Sequence, residues 1–179
     1  DHLHGDEKLQ NDKQLAVNNL NQLSGLNDAQ RDAFESQINQ APTRNMVAES
    51  IAQANALNQA MVSLRNAIQN EPQVESSSQF INEDTPEQEA YKQAVSNAKA
   101  IINETTNPIM DKAQVDQTLQ EVNNAIANLH GDQKLAQAQQ QAIIGLDGLN
   151  NLNHDQLESA KDAVNQAPTR NDVCLLYTS

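Results

Sequence analysis

The chain has 179 residues, a formal net charge of −13 and only 2% aromatic residues. Nucleic acid and anionic membranes repel such an acidic chain, and the scarcity of aromatic residues disfavours a thick globular core. The single cysteine, Cys174, excludes an internal disulfide. No run reaches the roughly 20 apolar residues that cross a bilayer, and no signal-peptide pattern is present in this sequence. We therefore expect neither nucleic-acid binding nor direct membrane insertion by this chain.

The first two predicted helices lie near the start of the chain. The segment Asp6–Ser24 has apolar residues at helical spacing, and Asp6 is its predicted cap. Asn27 precedes the second helix, predicted over 28–40. Gln30 follows three residues later, which is the pattern of a capping box.

The sequence "NQAPTRN" occurs at Asn39–Asn45 and again at Asn165–Asn171. Pro42 disfavours helix at the residue before it, and Thr43 offers an oxygen to the first amides of a new helix. The motif thus predicts a turn between two helices. The third helix, over about 44–69, is much longer than the second, so its C-terminal half needs another packing partner.

A polar connector is predicted at 71–84, with Phe80 and Ile81 as its apolar contacts. "TPEQ" then predicts a helix capped by Thr85. "TTNP" ends this helix, and Asp111 is the predicted cap of the fifth. Gly131-Asp132 either separates the fifth helix from the next one or only kinks a continuous helix, and we favour a continuous or nearly continuous helix.

The segment Leu3–Val47 aligns without a gap to Leu129–Val173, which lies 126 residues later. The shared leucines keep helical spacing while most differences fall at polar positions, as in a retained packing face. No segment alternates with period two over any length. The predicted fold class is all-α, with elongated tandem three-helix bundles joined by long or shared helices.

The alignment ends after Val173, where the chain continues as "CLLYTS". The helical pattern stops here, and two interpretations remain: a tail derived from a vector or read-through, or a native terminus with a reactive thiol. We favour the non-native tail, at 174–179.

The sequence holds only weak candidates for chemistry. His2, His4 and Asp6 are potential metal ligands, but the second copy replaces the first histidine with asparagine. The carboxylate pairs Asp28/Asp32 and Glu83/Asp84 are more consistent with helix starts or solvated faces than with acid–base work. We predict no enzyme activity, no cofactor and no metal.

Two stretches resemble known modules. "LNDAQRDAFESQINQAPTRNMVAESIAQANALNQAM" resembles a GA module, and "TPEQEAYKQAVSNAKAIINETTNPIMDKAQVDQTLQEVNNAIANLHG" resembles a FIVAR module. Their alternation is similar to that in giant staphylococcal matrix-binding surface proteins. The predicted domains are a GA-like bundle (3–70), a connector (71–84), a FIVAR-like module (85–130), the start of another GA-like module (131–173) and the tail.

The resemblance implies a long rod on a Gram-positive cell surface, in contact with host matrix or supporting the envelope. Albumin-binding GA members use an aromatic-rich surface near the second helix. The aligned positions here keep one aromatic in the first copy, Phe34, and none in the second, so we predict no tight albumin binding at these sites.

Three hypotheses remain. The first is a rod-like structural spacer or adhesin stalk, whose partners include neighbouring repeats of the same chain. The second is an adhesin module for fibronectin, albumin or another host protein, with Phe34 and Arg44 as candidate exposed contact residues. The third is a cytosolic helical scaffold.

Overall fold

The computed structural model describes residues 2–178 and, within them, the side chains from His4 onward. The described residues form ten helices and no strand, which confirms the all-α class. The helices are α1 (His2–Leu20), α2 (Asp28–Gln40), α3 (Arg44–Ile68), α4 (Glu71–Glu75), α5 (Ser78–Ile81), α6 (Thr85–Ile102), α7 (Lys112–Ala127), α8 (Gly131–Asp147), α9 (His154–Gln166) and α10 (Arg170–Thr178). None of them is long and apolar enough to span a lipid bilayer.

The described residues divide into two compact units. The first unit consists of residues 2–69 and 93–124, and the second of residues 70–92 and 125–178. Helices α6 and α7 each contribute residues to both units, so this division does not follow the domain boundaries expected from the sequence.

In the first unit, α1, α2 and α3 pack against one another as a three-helix bundle. Its core consists of small and aliphatic side chains with one aromatic ring, since the spacing of three and four residues places them on the inner face of each helix. The buried residues include Ala16, Leu20, Phe34, Ile38, Ala41, Val47 and Ala54.

The C-terminal half of α3 packs against the turn between α1 and α2. This turn is the additional packing partner that the length of the third helix predicted. The Gly25 N–H donates to Asn58 Oδ1 at 2.7 Å, and Arg65 Nε donates to the Gly25 carbonyl at 3.0 Å. A Cβ at Gly25 would overlap Val62 and Asn58, so the close approach requires glycine.

In the second unit, α8, α9 and α10 form a second three-helix bundle. Its core cluster lies 126 residues after equivalent buried positions of the first bundle: Ala142, Leu146, Val164, Ala167 and Val173. The repeated sequence therefore builds the same core twice.

The two "NQAPTRN" turns also adopt the same geometry. Ala41 has φ −60° and ψ 123°, and Ala167 has φ −64° and ψ 121°, so both helices end in extended backbone before proline. Thr43 Oγ1 then accepts from the Met46 N–H at 3.2 Å, and Thr169 Oγ1 accepts from the Asp172 N–H at 3.1 Å. The stop-and-start interpretation of the motif is confirmed.

The helix caps were predicted with mixed success. The Asn27–Gln30 capping box is present, and Asp111 accepts from the Ala113 N–H at 2.9 Å. Asp6, in contrast, lies inside α1, which already begins at His2. The Gln88 N–H donates to the Asp84 carbonyl at 3.1 Å, so the cap residue of α6 is Asp84 and the predicted cap, Thr85, is the first helical residue.

The predicted continuous helix through Gly131 was wrong. Helix α7 ends at Ala127 and α8 begins at Gly131. In a continuous helix, the Leu129 carbonyl and the His130 N–H would bond along the helix. Here the Leu129 carbonyl accepts from Gln79 Nε2, and the His130 N–H donates to the Glu83 carboxylate. Groups from the connector thus replace the helical partners.

The prediction that the helical pattern stops after Val173 was also wrong, because α10 continues to Thr178. Thr178 Oγ1 donates to the Cys174 carbonyl at 2.8 Å, and the Tyr177 ring lies against Gly145 of α8. Cys174 is a free, exposed thiol. The origin of residues 174–179 stays a prediction.

Candidate functional site

The connector at 71–84 is ordered by an aromatic contact rather than being a loose linker. It contains α4 and α5, and its Phe80 ring meets the Tyr91 ring of α6 edge-on, with centroids 5.7 Å apart and an interplanar angle of 68°. Gln88 Nε2 donates to the Phe80 carbonyl at 2.7 Å. These contacts fix the backbone just before Asn82, Glu83 and Asp84.

These three residues bind the second copy of the repeat at two places, its helix start and its "NQAPTRN" turn. We call the contact set the repeat junction. Its members are Asn82, Glu83 and Asp84 on the connector, and His130, Gly131, Lys134, Pro168 and Arg170 on the second copy.

Asn82 binds the turn through both ends of its amide. Its Oδ1 accepts from the Arg170 N–H at 2.8 Å, and its Nδ2 donates to the Pro168 carbonyl at 3.3 Å. Its own carbonyl accepts from Arg170 Nη1 at 3.2 Å. Because Asn82 is only 2% exposed, these bonds satisfy groups that water does not reach.

Glu83 has a fully buried side chain that binds the start of α8. One carboxylate oxygen accepts from the His130 N–H, and the other accepts from Lys134 Nζ. Asp84 adds two ion pairs at the surface: Lys134 Nζ lies 2.6 Å from its Oδ2, and Arg170 Nη1 lies 2.6 Å from its Oδ1. Two carboxylates therefore meet two cations.

The pKa values of the junction follow from these contacts. Burial raises the pKa of Glu83, but hydrogen bonds from Lys134 and the His130 backbone more than offset it, so the pKa lies below its usual value. Hydrogen bonds from Lys134 and then Arg170 lower the pKa of Asp84. The same carboxylates raise the pKa of Lys134, with the hydrogen bond to Asp84 the largest cause.

Gly131 allows the connector to approach this closely. A Cβ there would overlap the backbone of Gln79 and Asn82, so any side chain at this position would push α5 away from the start of α8.

Glu83 and Asp84 were predicted from the sequence to be solvated or helix-start carboxylates, and for Glu83 the solvated alternative was wrong, because its side chain is buried at the start of α8. The residues that form this contact are visible in the sequence as "NED" in the connector and as the repeated "LHGD". The contact was missed because nothing local shows that this connector residue will be buried against a helix start 47 to 51 residues later in the chain.

The acidic group Glu83, Asp84 and Glu87 is close enough for one oxygen from each to reach a single ion. Lys134 and Arg170 already pair with the first two carboxylates, so protein cations supply the positive charge there. Of the predicted weak metal ligands, the side chain of His2 lies outside the described residues. His4 Nδ1 lies 3.7 Å from Glu7 on an exposed surface.

The two candidate contact residues differ in exposure. Phe34 is 2% exposed in the core of the first bundle, so its assignment as an exposed contact residue was wrong. Its spacing from Ile38 places it on the inner face of α2. Arg44 is exposed, and its Nε donates to Asp12 Oδ2 at 2.5 Å. This hydrogen bond lowers the pKa of Asp12 and raises that of Arg44.

Arg44 and Asp12 lie at one end of a shallow groove between α1 and α3. Leu15 and Ile51 line the groove with smaller residues, and Leu15 is 59% exposed. Such a surface offers one cation and some apolar area but no aromatic anchor.

An all-helical chain that builds one bundle twice and binds a connector to the second copy belongs to the class of tandem-module proteins. The chain is a member of the GA module family, whose sequence profile matches residues 6–60 and 132–174, and it also contains a FIVAR domain, matched at residues 60–130.

Curated relatives support the assignment. The chain is 58% identical over 173 residues to the extracellular matrix-binding protein ebh of Staphylococcus aureus strain MW2, covering 97% of this chain and 2% of that protein. It is equally similar to EbhA of strain Newman, of which it covers 5%. The chain thus spans a small fraction of the curated relatives it matches.

Solved structures agree. A crystal structure of an EbhA domain from S. aureus has a TM-score of 0.92 and 36% identity, covering 97% of this chain and 70% of that one. A structure reported for Embp-mediated adherence of Staphylococcus epidermidis to fibronectin has a TM-score of 0.68 and 38% identity, covering 70% of this chain and 99% of that one. The chain thus consists of GA and FIVAR modules and is similar to proteins named for matrix binding, in agreement with the prediction that it is not an enzyme.

Proposed function

We propose that the chain is a structural repeat of a giant bacterial cell-surface protein, acting as a rod-like spacer or adhesin stalk. The observation that carries this proposal is the repeat junction. A connector that binds the next copy through a buried carboxylate and a buried amide limits bending at that point.

The other features support the same function. The core positions repeat at a spacing of 126 residues, so added copies lengthen the protein without a new packing problem. The net charge of −13 keeps neighbouring chains apart in solution. The relatives named as matrix-binding proteins are many times longer than this chain, as a protein of many repeats would be.

Small-angle X-ray scattering on chains with one, two and three copies of the 126-residue repeat tests this function. A rod predicts a radius of gyration that rises nearly in proportion to copy number. A compact assembly predicts growth with roughly the 0.38 power of chain length. Growth at the compact rate would refute the spacer function.

The cellular location needs its own test. Protease treatment of intact bacteria that carry the full protein should release fragments of this sequence if it lies at the surface. Survival of the sequence until lysis would favour the cytosolic scaffold instead.

A second candidate function is a host-ligand-binding adhesin module, with fibronectin, albumin or another matrix or serum protein as ligand. It is favoured by the names of the relatives, including the protein studied for adherence to fibronectin. Arg44 and the exposed Leu15 give the chain one accessible surface for such a contact. Weak sites repeated many times along a protein would still bind through avidity.

Saturable binding of immobilised fibronectin and albumin to the chain, measured by surface plasmon resonance, tests the second function. Binding that weakens in Arg44→Gln and Leu15→Ser variants would support it. A Glu49→Gln variant, changed on the exposed surface of α3 outside the groove, is the matched control. Equal responses from all variants would exclude the groove as the contact surface.

A further inference from the structure

The two copies differ in what covers the start of their first helix. In the second copy, Gly131 lies under the backbone of the connector, whereas Gly5, its equivalent, has no atom of the described residues near enough to meet a Cβ. Lys134 pairs with Glu83 and Asp84, whereas its equivalent, Lys8, is exposed and forms no ion pair with another described residue.

The first copy nevertheless keeps the groups that the connector binds in the second. "LHGD" and the following lysine occur at the same positions in both copies, as does "NQAPTRN". The backbone angles at Ala41 and Ala167 match, and Thr43 and Thr169 make the same cap bond, so the turn of the first copy offers the Pro42 carbonyl and the Arg44 N–H at the positions equivalent to Pro168 and Arg170.

One substitution explains why Arg44 has a different partner. Asp12 accepts from Arg44, but the equivalent position in the second copy is Ala138, and Arg170 pairs with Asp84 of the connector instead. The Arg44–Asp12 pair is exposed, and exposed ion pairs contribute little to stability, so Arg44 can change partner at small cost.

We propose that Gly5, Lys8, Pro42 and Arg44 form a binding site for the Asn-Glu-Asp connector of a preceding repeat in the longer protein. This proposal rests on the proposed function, because it requires that repeats follow one another. The two cations of the site match the two carboxylates of the connector, as in the repeat junction.

Binding at this site changes the start of α1. Its counterpart α8 begins at Gly131, which is equivalent to Gly5, whereas α1 begins at His2, three residues earlier. Binding of the connector would unwind this first turn. The His4 N–H would then donate to the glutamate of the connector, as the His130 N–H donates to Glu83. Arg44 would leave Asp12 and pair with the connector's aspartate.

An extended chain tests the proposal directly. A copy of residues 3–128 is placed before Leu3, so that the new link has the same "ANLHGD" sequence as the natural link at 127–132. In the extended chain, Gly5→Ala is then introduced at the original Gly5, which now follows the added copy. The same variant is made in the 179-residue chain.

In the 179-residue chain, Gly5→Ala should leave the thermal unfolding midpoint unchanged or raise it slightly, since no described atom lies near. In the extended chain the same change should lower the midpoint clearly, because the added methyl group would meet the connector backbone. An equal effect in both chains would overturn the proposal.

Amide hydrogen exchange gives an independent measurement that does not depend on a variant. The Arg44 N–H donates to no acceptor among the described residues, whereas the Arg170 N–H donates to Asn82 Oδ1. Its exchange should slow by about tenfold or more in the extended chain, as expected for an amide that exchanges only on local opening. Unchanged exchange would overturn the proposal.

Scattering from the same extended chain separates the two proposals. Rod-like growth of the radius of gyration with a silent Gly5→Ala change would overturn the binding site and leave the spacer function standing. Growth at the compact rate would refute the spacer function itself.

Discussion

The buried carboxylate of Glu83 binds the ammonium group of Lys134, although the two residues belong to successive copies of one repeat. The same carboxylate accepts from the His130 N–H. The Asp84 N–H also donates to this carboxylate, so replacing Glu83 with alanine removes three hydrogen bonds at once and leaves two backbone donors without this acceptor. Unsatisfied buried donors cost about 1–3 kcal/mol, so we expect Glu83→Ala to lower the free energy of unfolding by about 2 kcal/mol.

Urea unfolding followed by circular dichroism checks this value. Glu89→Ala, which breaks an exposed ion pair to Lys92 on α6, is the matched control and should change the free energy by less than about 1 kcal/mol. Equal effects of the two variants would show that the junction does not stabilise the fold.

The repeat junction should also be sensitive to acid. The pKa values of Glu83 and Asp84 are both lower in the folded chain than their ordinary values of 4.5 and 3.8. A lowered pKa stabilises the fold fully above the ordinary value and loses that contribution as the pH falls through the folded one. The free energy of unfolding should therefore decline below about pH 4.5, and the double variant Glu83→Gln/Asp84→Asn should decline less steeply.

Urea unfolding at a series of pH values from 7 to 2.5 measures both profiles. Parallel profiles for the two proteins would assign the acid sensitivity to carboxylates elsewhere, such as Glu104. Hydrogen bonds from the backbone of Thr106 and Asn107 lower the pKa of this residue to about 2.

The two capping boxes should differ in their contribution to stability. Gln30 is fully buried, and besides closing the box at Asn27 its Nε2 donates to the Ile109 carbonyl at 2.8 Å. Gln156 closes the equivalent box at Asn153 on an exposed surface. Gln30→Ala should therefore cost about 2–3 kcal/mol, and Gln156→Ala about 0.5–1 kcal/mol.

Chemical unfolding of the two variants under identical conditions compares these costs. Because the same substitution is made in the same local motif, helix propensity cancels between them. A smaller cost for Gln30→Ala would contradict the importance of the bond to Ile109.

Variants of Phe34 and Arg44 should separate stability from binding. Phe34→Ala removes a buried ring from the first bundle and should cost about 3–5 kcal/mol. Arg44→Gln breaks an exposed pair with Asp12 and should cost less than about 1 kcal/mol. Thermal unfolding measures both. Similar midpoints would mean that the ring of Phe34 is not part of the core.

The helices and their internal core were predictable from the sequence because the relevant signals are local. The apolar spacing of Leu20, Ile38 and Val47 and the cap at Asn27 act within one or two turns of the chain. The exact repetition of "NQAPTRN" also indicated that one turn is built twice, and both copies have the same geometry.

The junction was not predictable in the same way because its energetics depend on distant residues. Glu83 lies in a polar stretch, and only the tertiary contact with His130 and Lys134 turns an apparently solvated carboxylate into a buried one. The break before Gly131 has the same origin, since it is the connector that takes over the helical hydrogen bonds. Phe34 was misjudged as exposed because that expectation followed the resemblance to albumin-binding GA modules and not its helical spacing from Ile38.

Positions inside and outside the junction differ in whether the two copies keep the same residue, and this affects how such a protein can change length. Lys13 donates to the Asn39 carbonyl in the first copy, and Gln139 makes the same bond to Asn165 in the second, so a neutral donor replaces a charged one without loss. No such exchange is seen at Gly131, Lys134 or Arg170, whose counterparts are identical. Recombination that gains or loses whole multiples of 126 residues would join Asn82–Asp84 to an intact acceptor, whereas any other deletion would strand a buried glutamate. Changes in length should therefore be tolerated only when they add or remove whole repeats of 126 residues.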